Sequence, residues 1–132
     1  MSGFGPDESA RIIRRDQTRC AWCGNGVRGR RGVDWSIHHR RARGMGGSRV
    51  AWVNEAANGV VVCGNGTQGC HSEIESQKAL AIELGFTVGA TWRFASNEVP
   101  IKHAVLGWVL LDNDGGYVPF KKQVGRGVGS WE

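Results

Sequence analysis

Two short runs of residues predict the strands in the first half of the chain. Residues 33–38 alternate apolar and polar side chains, which is the period of a half-buried strand. Residues 60–62 are three consecutive valines, a β-branched run that leads directly into Cys63. Residues 40–57 have no regular pattern, so they are predicted to form a long loop between the two strands.

Helical spacing occurs in two places, and a hairpin pattern follows. In residues 72–84 the apolar positions fall near one helix face, and Gly85 is a typical residue at which a helix ends. A short helix is also predicted around residues 9–16. Farther on, residues 104–111 and 116–120 flank an Asp-Asn-Asp-Gly turn sequence, which predicts a β-hairpin.

The composition fits one compact domain. A chain of 132 residues with 40% hydrophobic and 22% charged residues is neither a disordered tail nor a membrane protein. No run approaches the roughly 18–20 apolar residues of a membrane span. The N-terminus lacks the apolar segment of a secretion signal, so a cytoplasmic location without membrane contact is expected. The 21 glycines indicate many turns and a modest core that a bound metal would stabilise.

Positive charge is concentrated in the N-terminal part of the chain. Residues 1–50 contain eleven arginines, no lysine and four acidic residues, for a net charge of +7. Residues 51–132 have six basic and eight acidic residues, for a net charge of −2. Arginine binds phosphate bidentately, so the asymmetry indicates either a nucleic-acid partner or simply a solvated arginine-rich surface.

Four cysteines form two short-spaced pairs. Cys20 and Cys23 are separated by two residues, and Cys63 and Cys70 by six. In a cytoplasmic chain paired thiols are metal ligands more often than disulfides, and four thiolates form a closed structural zinc site. The alternative for the first pair is a thioredoxin-like redox motif, but the βαβ pattern that accompanies such a motif is not visible.

Histidines and potential partners occur at three points along this pattern. His38 and His39 end the first predicted strand, Asn58 precedes the second, and His71 follows the last cysteine, with Glu75 one helical turn later. His38, His71 and Glu75 around one ion would form an open site, and His39 would remain as a general base. Each has an ordinary alternative, such as a strand end, an Asn-Gly turn or a first-turn acid.

The string HHRRARGMGG from His38, then Asn58, then Cys70-His71 with Glu75, resembles the HNH endonucleases. It is similar in particular to the small HNH proteins of tailed bacteriophages. The resemblance spans residues 20–85.

This resemblance implies an α+β fold with a ββα-metal (His-Me finger) core that the four-cysteine zinc site staples together. It also implies the division of the chain. Residues 1–19 are then an arginine-rich N-terminal segment and residues 20–85 the HNH module with its zinc knuckles. Residues 86–132 are a C-terminal extension with the β-hairpin and a flexible tail at 121–132.

By the same resemblance, His38 and His71 are ligands of one catalytic divalent metal, and His39 is the general base. Asn58 fixes the loop and orients that base, whereas Asn54 is a weaker candidate because its spacing differs. Glu75 stands where the family commonly has a histidine. This departure leaves the metal open among Mg²⁺, Mn²⁺, Ni²⁺ and Zn²⁺, and a carboxylate shifts the preference towards harder ions such as Mg²⁺ or Mn²⁺.

The expected partner is double-stranded DNA, whose backbone phosphates would be held by four arginines: Arg40, Arg41, Arg43 and Arg49. The resemblance implies phosphodiester hydrolysis with low sequence specificity, leaving 5′-phosphate and 3′-hydroxyl ends. Likeness to phage proteins places the chain in an infected host cytoplasm, with the terminase or portal as a partner in DNA packaging. The alternative is a non-catalytic zinc-knuckle module that binds nucleic acid or a packaging protein.

Overall fold

A computed structural model describes residues 4–42, 51–89 and 94–121. The fold is mixed α+β, with two small antiparallel sheets and three short α-helices in these residues. None of these helices combines the length and the apolar character that crossing a membrane would require. The predicted phosphate contacts Arg43 and Arg49 lie outside the described residues, as does the predicted tail beyond Lys121.

The two predicted strands of the first half are present and pair with each other. Strand β1 (Trp35–His39) runs antiparallel to β2 (Gly59–Cys63), and Ile37 lies opposite Val61. Strand β1 begins two residues later than predicted because the Asp34 carboxylate accepts a hydrogen bond from the Arg30 N–H, which closes a turn before the strand.

The prediction that β1 is half-buried is wrong, because both faces of the strand are covered. Ile37 packs with Val61 and with Ile12 of helix α1 (Pro6–Arg15). The opposite face carries Ser36 and His38, and these side chains are buried as well. Helix α1 extends the predicted 9–16 helix toward the N-terminus, since proline suits the first helical turn.

The loop predicted at residues 40–57 contains two short 3-10 helices, Ala51–Asn54 and Ala56–Asn58. Polar side chains fix the second of these in place. Asn113, at the tip of a distant hairpin, accepts a hydrogen bond from the Ala57 N–H. The segment before β2 is therefore held by contacts from the C-terminal part of the chain, which a local pattern does not reveal.

The single helix predicted at residues 72–84 is two helices, α2 (Gly69–Ser76) and α3 (Lys78–Glu83). The break is at Gln77, whose backbone leaves the helical region with φ −105° and ψ 64°. Ile74 and Ala81 are buried on either side of it, so a seven-residue apolar spacing continues through the break.

The predicted end of the helix at Gly85 is confirmed. Gly85 has φ +83°, and its N–H donates to the carbonyl of Ile82. The Phe86 N–H donates to the carbonyl of Ala81, which completes a Schellman motif.

The C-terminal extension is a three-stranded meander, and the predicted hairpin is its second half. Strand β4 (Gly107–Leu111) pairs with β5 (Tyr117–Pro119), as expected, and also with an unpredicted strand β3 (Ile101–His103). The hairpin strand predicted to start at residue 104 starts three residues later because residues 104–106 form the turn between β3 and β4. The Nδ1 atom of His103 accepts hydrogen bonds from the backbone N–H groups of Val105 and Leu106 in that turn.

The C-terminal sheet shares one hydrophobic core with the β1–β2 unit. Val60 and Val62 of β2 belong to the same buried cluster as Phe86, Ile101 and Leu111. Buried hydrogen bonds through Asp16 also link β2 to the C-terminal sheet. Residues 86–121, where described, therefore complete the core rather than forming a separate appendage.

A buried carboxylate links three parts of the chain. Asp16 accepts hydrogen bonds from the Arg15 guanidinium, from Nε2 of His103 and from the Val61 N–H. Burial acts to raise the pKa of Asp16, but the hydrogen bond from His103 and the charge of Arg15 outweigh it, so the pKa is lowered. The network ties α1, β2 and β3 together.

Candidate metal sites

The four cysteines of the two pairs converge on one point. The Sγ atoms of Cys20, Cys23, Cys63 and Cys70 all lie within 4.8 Å of one another, and those of Cys23 and Cys63 are 3.7 Å apart. Four sulfurs at about 2.3 Å from a tetrahedral zinc ion would be about 3.8 Å apart. The cluster is therefore compatible with a structural zinc ion, and its geometry disfavours an isolated redox pair.

The electrostatics of the cluster are compatible with a bound cation. Burial and the neighbouring Cys20 sulfur raise the pKa of the Cys63 thiol to about 12, and the same causes raise that of Cys70. Four thiolates this close would repel one another without a positive ion between them. The N–H groups of Cys23 and Cys63 both donate to the Sγ of Cys20.

A second cluster joins the end of β1 to the start of α2. The potential ligand atoms of His38, His71 and Glu75 lie within 4.8 Å of one another. The two imidazole rings meet edge to face with centroids 5.2 Å apart, and Nε2 of His71 lies 3.6 Å from Oε2 of Glu75. The three residues predicted to share an ion are thus brought together by the fold. Two imidazoles and a carboxylate are a common ligand set for divalent metals.

Hydrogen bonds fix which nitrogen of each imidazole can bind a metal. The Ser36 hydroxyl donates to the Gly64 carbonyl, so it accepts from Nδ1–H of His71, and the lone pair of His71 is on Nε2. Nε2–H of His38 donates to the carbonyl of Phe86, which leaves the lone pair of His38 on Nδ1. Such outer contacts orient metal-binding histidines. Ser36 and Phe86 were not predicted, although strand alternation places Ser36 and His38 on one face.

Burial keeps both imidazoles neutral, as metal binding requires. It lowers the pKa of His38 to about 3, although the Phe86 carbonyl acts in the opposite direction. Burial also lowers the pKa of His71, with the charge of Glu75 opposing the change. Both rings can therefore offer a lone pair at neutral pH.

His39 opens into the same cleft as the second cluster. A cleft of about 330 Å³ is lined by residues of β1, α2 and α3, among them His38, His39, Glu75 and Lys78. The Nε2 atom of His39 lies 2.9 Å from Oδ1 of Asn54, an acceptor, so Nε2 carries the hydrogen. The lone pair of the neutral ring is then on Nδ1. A molecule in the cleft can therefore reach His39 together with His38 and Glu75 of the second cluster.

The contact predicted between Asn58 and His39 is made by Asn54 instead. The side-chain amide of Asn58 is buried, and all four of its hydrogen-bonding positions have other partners. Its Oδ1 accepts from the Arg41 N–H and the Ser96 hydroxyl, and its Nδ2 donates to the carbonyls of Arg41 and Val53. Asn58 thus fixes the loop between the strands, whereas Asn54, set aside because of its spacing, contacts the histidine.

The prediction that Arg40 contacts DNA is wrong. Its side chain is 1% exposed and cannot reach a phosphate on the surface. The guanidinium donates to four backbone carbonyls, those of Ala57, Gly85, Ser96 and Val99. Burial, with a contribution from the charge of Arg15, lowers the pKa of Arg40 to about 9.

Arg41 is the described member of the predicted phosphate-binding set that has a partly exposed side chain. It is half-buried and lies over the Trp52 ring, with 5.5 Å between its guanidinium carbon and the ring centroid. Arg41 therefore stays a candidate phosphate contact beside the cleft.

In comparisons with known proteins, no family model, no curated protein and no solved structure matches this chain.

Proposed function

We propose that this chain is a divalent-metal-dependent DNA endonuclease of the HNH class. The observation that carries the proposal is the convergence of His38, His71 and Glu75, with His39 in the same cleft. In this proposal β1, β2 and α2 form the ββα-metal unit. The four-cysteine cluster would bind one zinc ion beside this unit. Two of its cysteines precede β1, one ends β2 and one lies in α2.

The proposed ligands of the catalytic metal are His38, His71 and Glu75. When bound, a divalent ion would supply Lewis-acid stabilisation of the charge that develops on a phosphodiester. The tautomers set by Ser36 and Phe86 give both imidazoles a lone pair for this purpose. The carboxylate of Glu75 favours Mg²⁺ or Mn²⁺ over softer ions, with Ni²⁺ and Zn²⁺ as the other ions to test.

His39 is the proposed general base. Because Asn54 holds the hydrogen on Nε2, the Nδ1 atom accepts the proton from the attacking water. The water oxygen bonds to phosphorus in line with the leaving 3′ oxygen, and the P–O3′ bond breaks. The leaving 3′ oxygen takes a proton from solvent water, and the proton taken by His39 returns to solvent. The products therefore carry a 5′-phosphate and a 3′-hydroxyl.

Binding of the DNA backbone is proposed to rest on arginine side chains around the cleft. Arg41 is the described candidate, and Arg43 and Arg49 are candidates from sequence. Phosphate contacts position a duplex without reading its bases, so low sequence specificity follows. A role in phage DNA packaging, beside a terminase or portal, stays a prediction of the sequence resemblance.

The second candidate is a zinc module that binds nucleic acid without cutting it. The observation in its favour is that neither the four-cysteine cluster nor the set of arginines includes His39. The two candidates therefore differ in whether the protein needs His39 to cut DNA.

A plasmid-nicking assay with Mg²⁺, Mn²⁺, Ni²⁺ or Zn²⁺ separates them. The wild-type chain is expected to nick supercoiled DNA with at least one ion, and His39→Ala to cut about 10²- to 10⁴-fold more slowly. Zinc content, melting temperature and DNA affinity of the variant should match the wild type. Equal nicking by both proteins would contradict the base role. Binding without nicking by either would favour the non-catalytic module.

A further inference from the structure

The aromatic ring of Phe4 is stacked on the imidazole of His39. The ring centroids are 4.1 Å apart and the planes differ by 16°. Phe4 lies two residues before α1, in the arginine-rich N-terminal segment of residues 1–19. The contact therefore brings a distant part of the chain to the proposed base.

The position of Phe4 depends on a slot in the sheet that only glycine can provide. Gly59 lies directly opposite His39 in the β1–β2 pairing. A Cβ atom on Gly59 would lie 2.7 Å from Cζ of Phe4 and 2.6 Å from Cδ1 of Ile12. Any larger residue at this position would therefore displace the ring, so Phe4 fills a space that the missing side chain leaves.

Helix α1 is fixed to this same point of the sheet. The Arg15 guanidinium donates to the carbonyl of Gly59, with 2.6 Å between the atoms, and also to that of Ala56. Ile12 is completely buried beneath the helix. Because the helix is anchored at Gly59, the ring that precedes it is held against His39 rather than meeting it by chance.

Stacking and hydrogen bonding restrict different motions of the imidazole. The bond from Nε2 to Asn54 restrains one atom at the edge of the ring. A parallel ring 4.1 Å away restricts tilting of the whole imidazole plane. With both contacts present, the direction of the Nδ1 lone pair is defined.

We propose that Phe4 is a positioning residue that, with Asn54, aims Nδ1 of His39 into the cleft. The inference rests on the proposed function, because it assigns a role toward the proposed base. This role would make the arginine-rich N-terminal segment part of the proposed active site. A small misdirection of a reacting group costs about tenfold to a hundredfold in rate.

The test is Phe4→Leu, which keeps apolar volume but loses the ring. This variant is expected to lower kcat about tenfold to a hundredfold, with KM for DNA changed less than about twofold. Phe120→Leu makes the same chemical change next to β5 and is the matched control, with no expected effect.

A second readout does not depend on cleavage. The ring current of Phe4 is expected to shift the His39 imidazole proton signals upfield in the NMR spectrum of the zinc-loaded protein. These signals should move toward ordinary positions in Phe4→Leu and stay in place in Phe120→Leu.

The outcomes separate this inference from the proposed function. An active wild type with unchanged kcat in Phe4→Leu, or an effect on KM alone, would overturn the positioning role. If the wild type cuts no DNA with any ion, the proposed function fails. The NMR comparison then still decides whether Phe4 stacks on the His39 ring, and unchanged shifts in Phe4→Leu would refute that contact and with it the positioning role.

Discussion

Replacing Arg40 by methionine tests whether this residue binds DNA or holds the fold together. The change removes the guanidinium that donates to four buried carbonyls, while methionine retains much of the apolar volume. At about 1 kcal/mol for each lost hydrogen bond, we expect a loss of about 3–5 kcal/mol in the free energy of unfolding. That is a large fraction of the roughly 5–15 kcal/mol of a typical domain.

The matched control is Arg41→Met, one residue later along the chain. Arg41 is half-buried and stacks on Trp52, so its loss should cost about 1 kcal/mol or less. If it contacts a phosphate, the slope of log affinity against log salt should fall by about one. Arg40→Met should leave that slope unchanged wherever the protein is folded.

Thermal and urea unfolding measure the stability of both variants, and DNA binding at several salt concentrations measures the slope. About 4 kcal/mol lowers the melting temperature by roughly 15 °C in a domain of this size. An Arg40→Met protein with the wild-type melting temperature and weaker, less salt-dependent DNA binding would refute the structural role of Arg40.

Two further predictions concern the cysteine cluster and the Asp16 network. A strong zinc chelator, or Cys63→Ser, is expected to remove one equivalent of zinc and to lower the melting temperature. Native mass spectrometry measures the zinc content and calorimetry the melting temperature. An unchanged melting temperature would argue against a structural ion. The lowered pKa of Asp16 predicts a contribution to stability that is present above the unfolded pKa of about 3.9 and is lost as pH falls through the folded value. Asp16→Asn should therefore be less stable than the wild type at pH 7, and its free energy of unfolding, measured by urea titration, should change less as the pH falls. Parallel pH profiles for the two proteins would contradict this.

The sequence was sufficient for features that depend on local spacing. Cys20, Cys23 and the later pair converge as predicted, because short spacings form turns that wrap one point. The valines of β2 pair with β1, and Gly85 ends α3, since a positive φ at that position suits glycine. These signals lie within a few residues of the features that they determine.

Features that depend on distant contacts were missed. Arg40 looks like a surface residue within a run of arginines, but it shares a strand face with Ser36 and His38, and that whole face is covered. Continuing the alternation of β1 past His39 places Arg40 with the polar positions, on the face that the pattern predicts to be exposed, so the alternation does not indicate its burial. No local signal indicates the carbonyls from residues 57–99 that receive its hydrogen bonds.

Other misses have similar physical causes. The break at Gln77 is hidden because Ile74 and Ala81 keep a seven-residue spacing across it. Strand β3 has only three residues and gives too short a pattern to detect. Asn54 ends a 3-10 helix and contacts His39 across 15 residues of sequence, a pairing that sequence spacing does not show.

Locating the second metal is the most direct test of the central claim. Crystals of the zinc-loaded protein grown with Mn²⁺ would be examined by anomalous scattering. We predict a manganese peak about 2.0–2.3 Å from the side chains of His38, His71 and Glu75, with zinc at the four cysteines. Zinc at the cysteines with no manganese at the second cluster, under conditions in which the protein cuts DNA, would contradict the claim.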